Sequence, residues 1–498
     1  MNIRAFNTSS KRQTPDTDTE QRDMTPVAGS HAIVIGGSMA GLLAARVLAD
    51  HVDRVTILER DRLPSTPATR AGVPQGRHGH LLLLRGLQIM EGLFPGLETE
   101  LAAAGAVPLD WVDDMQWFNF AGPKLRFPSD LRSHVCSREL LELTVRQRVA
   151  AHPSITILDG CQVTGLRADE TGQRVIGVTA HRRDGGAEHD QDLALEADLV
   201  VDAGGRSSRA PQWLEELGYK APRETTIDAH LGYASRIYRK PAGAGAWKAL
   251  YVQRTLAEDT RGGLILPLED GRWMVTLVGV GGDYPPTEAA AFLDFARTLR
   301  NPVLYEAIKD AEPLSPIHGF RGTDNRRRHF ETLARRPEGF VVVGDAFCAF
   351  NPVYGQGMTT AALGAMTLDR CLRERRRLHP DRGPDGFAAH FQQQLARVVA
   401  TPWSLSTAQD LRLPRTEGGR TSLIGRLLHH YVDGATLLAA ERPDAHLALS
   451  RVLHLLAPPT ALFHPRIALP VLVRALSRHR KTPGDMAERP VQTEQKAA

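Results

Sequence analysis

The chain has 498 residues, of which 42% are hydrophobic and 24% are charged. This composition is typical of a soluble globular protein with room for two or three domains. The net charge of +4 is small for this length and argues against a nucleic-acid partner. No uninterrupted apolar run reaches the ~18 residues of a transmembrane segment. The four cysteines form no C-x-x-C pair, which indicates reduced thiols in a cytoplasmic protein.

The first glycine-rich segment lies at residues 33–42, where an apolar, β-branched run passes into helical spacing. We expect a buried parallel strand, a tight turn and a helix whose free N-terminal amides face a pyrophosphate. Ser38 stands at the middle glycine position of the dinucleotide fingerprint G-x-G-x-x-G. The candidate cofactor-binding residues of this turn are Gly36, Gly37, Ser38, Met39, Ala40 and Gly41.

Glu59 and Arg60 end the next apolar run, residues 54–60. A carboxylate about 20 residues after the glycines is typical of a group that accepts hydrogen bonds from both ribose hydroxyls. We therefore place Glu59, with Arg60 beside it, at the adenosine end of a dinucleotide. A nucleophile elbow with Ser38 as the nucleophile of a hydrolase needs the same strand–turn–helix. That alternative is disfavoured because only one strand can precede Ser38 and Glu59 would have no role.

The second glycine-rich segment lies at residues 341–358, after another apolar run. Its order of Gly-Asp, Pro and Gly-x-Gly resembles the second cofactor motif of the single-component flavin hydroxylases, the para-hydroxybenzoate hydroxylase superfamily. The resemblance implies a non-covalently bound FAD, with NAD(P)H as the reductant. The residues that it places at the cofactor are Asp345, Pro352, Gly355, Gly357 and Met358.

By the same resemblance, Asp345 binds the ribityl chain and Pro352 borders the isoalloxazine ring. The amides of Gly357 and Met358 would lie near the pyrimidine edge of the flavin. A helix N-terminus in that position stabilises the negative charge of reduced flavin.

Further segments extend the resemblance. Residues 199–209 are similar to the family's middle motif, which touches both FAD and the nicotinamide cofactor, although a Gly-Gly pair replaces its usual Asp-Gly. Residues 70–78 resemble the loop that meets the FAD phosphates, with Arg70 or Arg77 as the phosphate partner. Arg138 matches the arginine at a helix start that contacts FAD.

Within the superfamily, residues 30–415 are similar to the flavin polyene epoxidases of polyether-ionophore biosynthesis, of the lasalocid and monensin type. The similarity lies in residues 72–82, 137–147 and 351–355. It implies a monooxygenase of secondary metabolism that uses O2 through a flavin C4a-hydroperoxide. The expected reaction is epoxidation of an olefin in a lipophilic, polyketide- or isoprenoid-like substrate. An aromatic hydroxylase of the same fold, a flavin reductase or dehydrogenase without oxygen insertion, and a non-catalytic FAD-binding protein stay open as alternatives.

The segment 263–277 predicts a β-hairpin with apolar alternation. In the family such a sheet covers the flavin and forms the back wall of the substrate pocket. We expect Trp273 and Met274 to be core residues. A flavin halogenase is disfavoured because its Trp-x-Trp-x-Ile-Pro signature is absent. His78 and His80 have no third ligand nearby in sequence, so we expect no metal site there.

We predict an α/β fold in which a Rossmann-like FAD-binding domain is interleaved with a β-sheet substrate domain and followed by a helical C-terminal region. Prolines interrupt the apolar, basic stretch 452–476, which favours packed helices over a membrane contact. We assign no oligomeric state. The predicted division is a disordered tail at 1–28, a first FAD-binding segment at 29–110, a connecting or substrate-cap segment with an FAD-contacting helix at 111–150, a second FAD-binding segment at 151–220, the substrate β-sheet domain at 221–320, a third FAD-binding segment at 321–375, the helical region at 376–480 and a second disordered tail at 481–498.

Overall fold

The computed structural model describes residues 27–183, 190–254, 259–378 and 386–478. Its strands are β1 (Val27–Ile35), β2 (Val52–Leu58), β3 (Val107–Asp110), β4 (Met115–Asn119), β5 (Gly122–Pro123), β6 (Arg132–Val135), β7 (Ile155–Leu158), β8 (Cys161–Ala168), β9 (Val175–Arg182), β10 (Gln191–Glu196), β11 (Leu199–Asp202), β12 (Glu224–Ile227), β13 (Gly232–Arg239), β14 (Ala249–Val252), β15 (Arg261–Leu268), β16 (Arg272–Gly279), β17 (His318–Phe320), β18 (Asn325–Arg328), β19 (Phe340–Val342) and β20 (Cys348–Ala349). Its helices are α1 (Met39–Leu48), α2 (Leu84–Leu93), α3 (Leu97–Ala103), α4 (Arg138–Ala150), α5 (Ala210–Glu216), α6 (Ala289–Arg297), α7 (Val303–Ile308), α8 (Gly357–Leu378), α9 (Phe387–Asp410), α10 (Leu423–Ala439), α11 (Pro443–Leu453) and α12 (Pro465–Arg478). The tails predicted for 1–28 and 481–498 lie outside the described residues, except that β1 already begins at Val27.

A parallel five-stranded sheet, in the order β19–β11–β1–β2–β7, forms the centre of the cofactor domain. Ala32, Ile33 and Val34 of the central strand β1 are fully buried, as expected for a parallel sheet covered on both faces. The carboxyl ends of the strands meet at one edge, and both glycine-rich segments leave the sheet there. Open parallel sheets bind ligands at this edge. The predicted α/β class is therefore confirmed.

A seven-stranded sheet, in the order β17–β13–β16–β15–β14–β4–β5, forms a second layer. The predicted hairpin is confirmed as β15 and β16, which are antiparallel neighbours. One face of this sheet packs on α6 and α7 in a core that includes Trp273. Trp273 and Met274 are both buried, as expected. Strands β4 and β5 come from the segment predicted to connect or cap the domains, so that segment extends the substrate sheet.

The C-terminal region is helical, as predicted. α8 and α9 pack on the core of the cofactor domain, whereas α10, α11 and α12 share a smaller core. These last helices leave several large apolar side chains exposed on α10 and α12, namely Leu423, Ile424, Leu427, Leu428, Leu469, Leu472, Val473 and Leu476. Among the helices of the described ranges, none has the length and apolar character that crossing a membrane requires.

Candidate flavin site

A cavity of about 630 Å³ lies at the carboxyl edge of the parallel sheet, where the two glycine-rich segments meet. This volume is within the range of small-molecule sites. Gly37 and Gly41 belong to the turn without lining the cavity, and the side chain of Arg77 is exposed outside it. The predicted residues that line the cavity are Gly36, Ser38, Met39, Ala40, Glu59, Arg60, Arg70, Arg138, Asp345, Pro352, Gly355, Gly357 and Met358.

The turn between β1 and α1 depends on glycine at two positions. Gly36 has a φ of +99°, and a Cβ there would come within 2.7 Å of the Ala203 carbonyl oxygen. A Cβ on Gly41 would lie 1.8 Å from the Gly36 oxygen. Glycines therefore let α1 start directly against the sheet. Its first N–H groups, which have no partner within the helix, lie at the cavity wall as a pyrophosphate requires.

Glu59 lies at the end of β2 and is buried. Its Oε2 accepts a hydrogen bond from the Gly37 amide at 2.7 Å, and its Oε1 accepts one from the Asp61 amide at 2.9 Å. Arg70 Nη1 lies 3.1 Å from Oε2. Glu59 therefore holds the glycine turn in place in addition to lining the cavity.

Glu142 on α4 joins the two arginines predicted for FAD. Its carboxylate lies 2.8 Å from Arg70 Nε and 2.8 Å from Arg138 Nη2. Burial opposes ionisation of this carboxyl group, but the charges of Arg138 and Arg70 hold its pKa below the ordinary value. Sequence reasoning missed Glu142, although its i,i+4 spacing from Arg138 on one helix is a usable signal.

Ser38 belongs to the same network. Its hydroxyl donates to Glu142 Oε2 at 3.1 Å and accepts from Arg138 Nη2 at 3.0 Å. No histidine is hydrogen-bonded to this serine in the described part of the chain. The arrangement gives no support to the nucleophile-elbow alternative, which requires a base beside the serine.

The second glycine-rich segment also lines the cavity. Asp345 follows β19, and burial raises the pKa of its carboxyl group, with Arg206 acting in the opposite direction. Gly355 has a φ of +65°, and a Cβ there would come within 2.9 Å of Leu81 Cβ. α8 begins at Gly357, so its amino end faces the cavity through Gly357 and Met358.

A buried polar cluster supports the loop between Asn351 and Gly355. Asp410, the last residue of α9, accepts hydrogen bonds from Tyr354 Oη at 2.6 Å, Asn351 Nδ2 at 3.1 Å and Asn325 Nδ2 at 2.6 Å. Asp410 is fully buried. The sequence analysis missed it because it is distant from the motif along the chain and belongs to no local pattern.

The middle motif turns at the end of β11 and also lines the cavity. Asp202 is fully buried, and it accepts hydrogen bonds from the Gly204 amide at 2.8 Å and from the Ser208 hydroxyl. Arg206 Nη1 bonds to Asp324 Oδ1 at 3.1 Å. Asp202 thus has a structural role in closing the turn, two residues before the position of the family's usual Asp-Gly.

His78 and His80, which follow the turn at Pro74–Arg77, have pKa values below the ordinary value. His78 Nδ1 lies 2.9 Å from Ser235 Oγ, and burial lowers the pKa of His78 to about 3. His80 lines the cavity, and burial, followed by the charge of Arg138, lowers its pKa to about 4. Within the described ranges, the cluster of potential metal ligands is Cys371, Glu374 and His390 on α8 and α9, and it includes neither histidine.

The cavity has the donor set that FAD needs. Arg138 Nη1 is buried without a hydrogen-bond partner at the cavity wall, and such a group fits a phosphate oxygen. The amino ends of α1 and α8 both line the cavity, and such ends suit the pyrophosphate and the pyrimidine edge of a flavin. Glu59 and Asp345 supply acceptors for ribose and ribityl hydroxyls.

Comparisons with known proteins agree with this geometry. Over 387 residues the chain is 37% identical to Protein Rv3254 of Mycobacterium tuberculosis, covering 76% of this chain and 80% of that protein. It is 28% identical over 443 residues to the kynurenine 3-monooxygenase of Salinispora arenicola, covering 83% of this chain and 91% of the enzyme. The flavin-dependent brominase Bmp2 has the same fold, with a TM-score of 0.61 and 14% identity over 91% of this chain and 100% of that chain.

The match to a sequence family covers most of the cofactor and substrate domains. Residues 30–377 match the family described as FAD binding domain, and this range contains both glycine-rich segments and the sheet beside them. The match confirms the predicted cofactor, FAD. The family match does not distinguish subfamilies, so the similarity to polyene epoxidases stays a prediction. The chain belongs to the FAD binding domain family.

Proposed function

We propose that the protein is an FAD- and NAD(P)H-dependent monooxygenase that adds one oxygen atom from O2 to an olefin of a lipophilic substrate. In this proposal the amino end of α1 and Arg138 hold the pyrophosphate, Glu59 the ribose and Asp345 the ribityl chain. When bound, FAD supplies the reduction of O2 with electrons from NAD(P)H. The chain's own residues bind and orient the substrate and exclude water. Four free cysteines support a reducing, cytoplasmic location.

An apolar wall beside the cavity carries the proposal. Thr276, Leu264, Tyr251 and Trp117 are successive cross-strand neighbours from β16 to β4. Because side chains alternate along a strand, this row lies on the face opposite the core that packs on α6 and α7. We call the row from Thr276 to Trp117 the apolar wall.

The loop from Gly79 to Leu81 joins the apolar wall to the cavity. Both residues line the cavity. The Gly79 amide donates to Thr276 Oγ1 at 3.3 Å, and Leu81 packs in the same cluster as Leu264 and Tyr251. A molecule bound along the wall would therefore lie beside the flavin end of the cavity, on a surface that favours apolar chains.

In this proposal Asp345 is occupied by the ribityl chain, and the other imidazole and carboxylate groups considered at the cavity wall are unsuited to removing a proton from a phenol at neutral pH. His80 is neutral, but the low pKa of its imidazole makes it a weak base. Asp202 and Glu59 already accept hydrogen bonds from backbone amides, and Asp324 is bonded to Arg206. An olefin has no proton to lose before oxygen addition, so this environment favours epoxidation over hydroxylation of a phenol.

The relatives of the chain support monooxygenation as the class of reaction. Two of them are kynurenine 3-monooxygenases by name, at 28% and 27% identity over most of their length. The brominase shares the fold at 14% identity, and the halogenase signature is absent from this sequence. The monooxygenase proposal therefore agrees best with both the relatives and the cavity.

Mass spectrometry with labelled oxygen tests the proposal. The holoenzyme is incubated with NADPH or NADH, ¹⁸O₂ and a panel of linear polyenes and phenols. We expect one labelled atom in an epoxide and no product without O2. Product formed anaerobically would support a reductase or dehydrogenase instead, and labelled phenol products would support an aromatic hydroxylase. No consumption of either nicotinamide cofactor with any compound would favour a non-catalytic FAD-binding protein.

A further inference from the structure

Lys124, directly after β5, is a buried cation without a partner. The residue is 5% exposed. Its Nζ has no hydrogen-bond partner, and the structure gives it no ion pair with any described residue. The ammonium instead lies 3.2 Å from the centre of the Trp117 ring. A cation–π contact replaces some of the lost solvation, but three N–H donors stay unsatisfied, which is costly in a protein interior.

The surroundings of Lys124 contain further nitrogen groups. His446 on α11 is buried, and its Nδ1 also lacks a hydrogen-bond partner. His454 lies nearby, and its Nδ1 receives the Leu84 amide at 3.3 Å. Burial and then the charge of Lys124 lower the pKa of each histidine to about 4, and burial lowers the pKa of Lys124 to about 7. His446 also has a hydrogen bond to the Leu125 backbone, so Nδ1 of the neutral ring is an acceptor rather than a donor. The unsatisfied donors are those of Lys124, and they indicate an acceptor that the described residues do not provide.

Lys124 stands at the far end of the apolar wall. Its amide donates to the Trp117 carbonyl at 2.8 Å, so the two residues belong to neighbouring strand ends. From Thr276, which contacts the cavity loop, to Trp117 the wall crosses three strand spacings, or about 14 Å. The wall therefore has the cavity at one end, aromatic and aliphatic side chains along its length and a cation at the other end.

We propose that Lys124 binds the carboxylate of an elongated apolar substrate whose chain lies along the apolar wall toward the cavity. This inference deepens the proposed function and rests on it for the role of the ligand. The carboxylate supplies the missing acceptor for the ammonium, and a protonated Lys124 gives a charge-assisted hydrogen bond. Because burial lowers the pKa of Lys124 to about 7, part of the free enzyme carries the neutral amine at pH 7.5, and binding of an acid there takes up protons from solvent.

Binding measurements on the FAD-loaded protein test the inference without requiring turnover. The probes are all-trans-retinoate and decanoate, each compared with its methyl ester, by isothermal titration calorimetry. We expect at least one acid to bind about ten-fold or more tightly than its ester. Titration in buffers of different ionisation enthalpy should show proton uptake at pH 7.5 on binding of that acid.

Substitutions of Lys124 test whether this residue contacts the carboxylate. Lys124→Met should remove the preference for acid over ester, and Lys124→Arg should keep a reduced preference. Lys240→Met, which changes an exposed lysine of the same domain, is the matched control and should behave like the unchanged protein. FAD content and melting temperature report whether each variant folds. If Lys124→Met fails to fold, the proposal is tested by the acid and ester affinities and the proton uptake of the unchanged protein.

Equal affinity for acids and esters, no binding of any acid, or an undiminished preference in a folded Lys124→Met would overturn the inference. Lys124 would then be a structural cation on Trp117. The affinity measurements with acids and esters can fail independently of the oxygen-labelling experiment. An enzyme that prefers acids but inserts no oxygen contradicts the proposed function alone, and one that oxygenates acid and ester equally well contradicts only the role of Lys124.

Discussion

Tyr354 donates its hydroxyl hydrogen to Asp410 Oδ1 across 2.6 Å, and this contact joins the loop between Asn351 and Gly355 at the cavity to the last residue of α9. The amide groups of Asn351 and Asn325 donate to the same carboxylate. The end of α9 thereby helps to determine where Pro352 and Gly355 lie. A residue outside both glycine-rich segments thus positions one of them.

Replacing Asp410 should loosen the loop between Asn351 and Gly355. All three partners donate, so the amide of Asp410→Asn would place an NH₂ group against donors, and Asp410→Ala would leave them all unsatisfied. We expect both variants to lose about 1–3 kcal/mol of stability for each orphaned donor and to bind FAD more weakly. Melting temperature and the Kd of FAD measure the two effects. Asp444→Asn, at a half-exposed site on α11, is the control, and a fully stable Asp410→Asn with native FAD affinity would contradict the assigned role.

Glu59→Ala should weaken FAD binding. A hydrogen bond to a charged acceptor is worth about 1.5–3 kcal/mol, so each lost ribose contact should raise the Kd of FAD about 10- to 100-fold. The flavin midpoint potential should stay constant because the ribose is distant from the flavin ring. Fluorescence titration of the apoprotein measures the affinity. Glu215→Ala, an exposed change on α5, serves for comparison, and an unaltered Kd for Glu59→Ala would place the ribose contact elsewhere.

Replacing Arg138 should weaken FAD binding far more than replacing Arg77, although both arginines were candidates for the FAD phosphates. Arg138 presents an unpartnered guanidinium nitrogen at the cavity wall, whereas Arg77 is exposed outside the cavity. We expect Arg138→Met to raise the Kd of FAD at least about 10-fold, as for loss of a charge-assisted hydrogen bond. Arg77→Met should change it less than about two-fold. The opposite ranking in fluorescence titrations would show that the loop of Arg77 moves onto the phosphates.

Stability should fall as the solution becomes acidic. Burial lowers the pKa of His80, His446 and His454 to about 4, below the ordinary 6.5. Below pH 6.5 the unfolded chain therefore binds more protons than the folded chain. Each of these histidines leaves stability unchanged above pH 6.5 and lowers it progressively as the pH falls toward about 4. Melting temperatures between pH 7.5 and pH 5 measure this decline. His454→Gln should flatten it, whereas His430→Gln, at an exposed position, should leave the slope as it was.

The sequence by itself determined the local units of the cofactor domain. In the first unit, the positive φ of Gly36 and the close approach of Gly41 to the Gly36 carbonyl are local requirements of a strand, a turn and the first turn of a helix. The positive φ of Gly355, shortly before α8, is a local requirement of the same kind. The hairpin of β15 and β16 was also predictable because alternation and turn residues lie next to each other in the chain.

Only the tertiary structure decided which distant residues join those units. Glu142 reaches Arg70 because α4 packs beside α1, and Asp410 reaches Tyr354 because α9 ends beside the loop between Asn351 and Gly355. The same packing leaves Arg77 exposed outside the cavity and buries Lys124 against Trp117. A short pattern specifies the conformation of its own segment, whereas contacts between segments depend on how whole elements bury their apolar faces against each other.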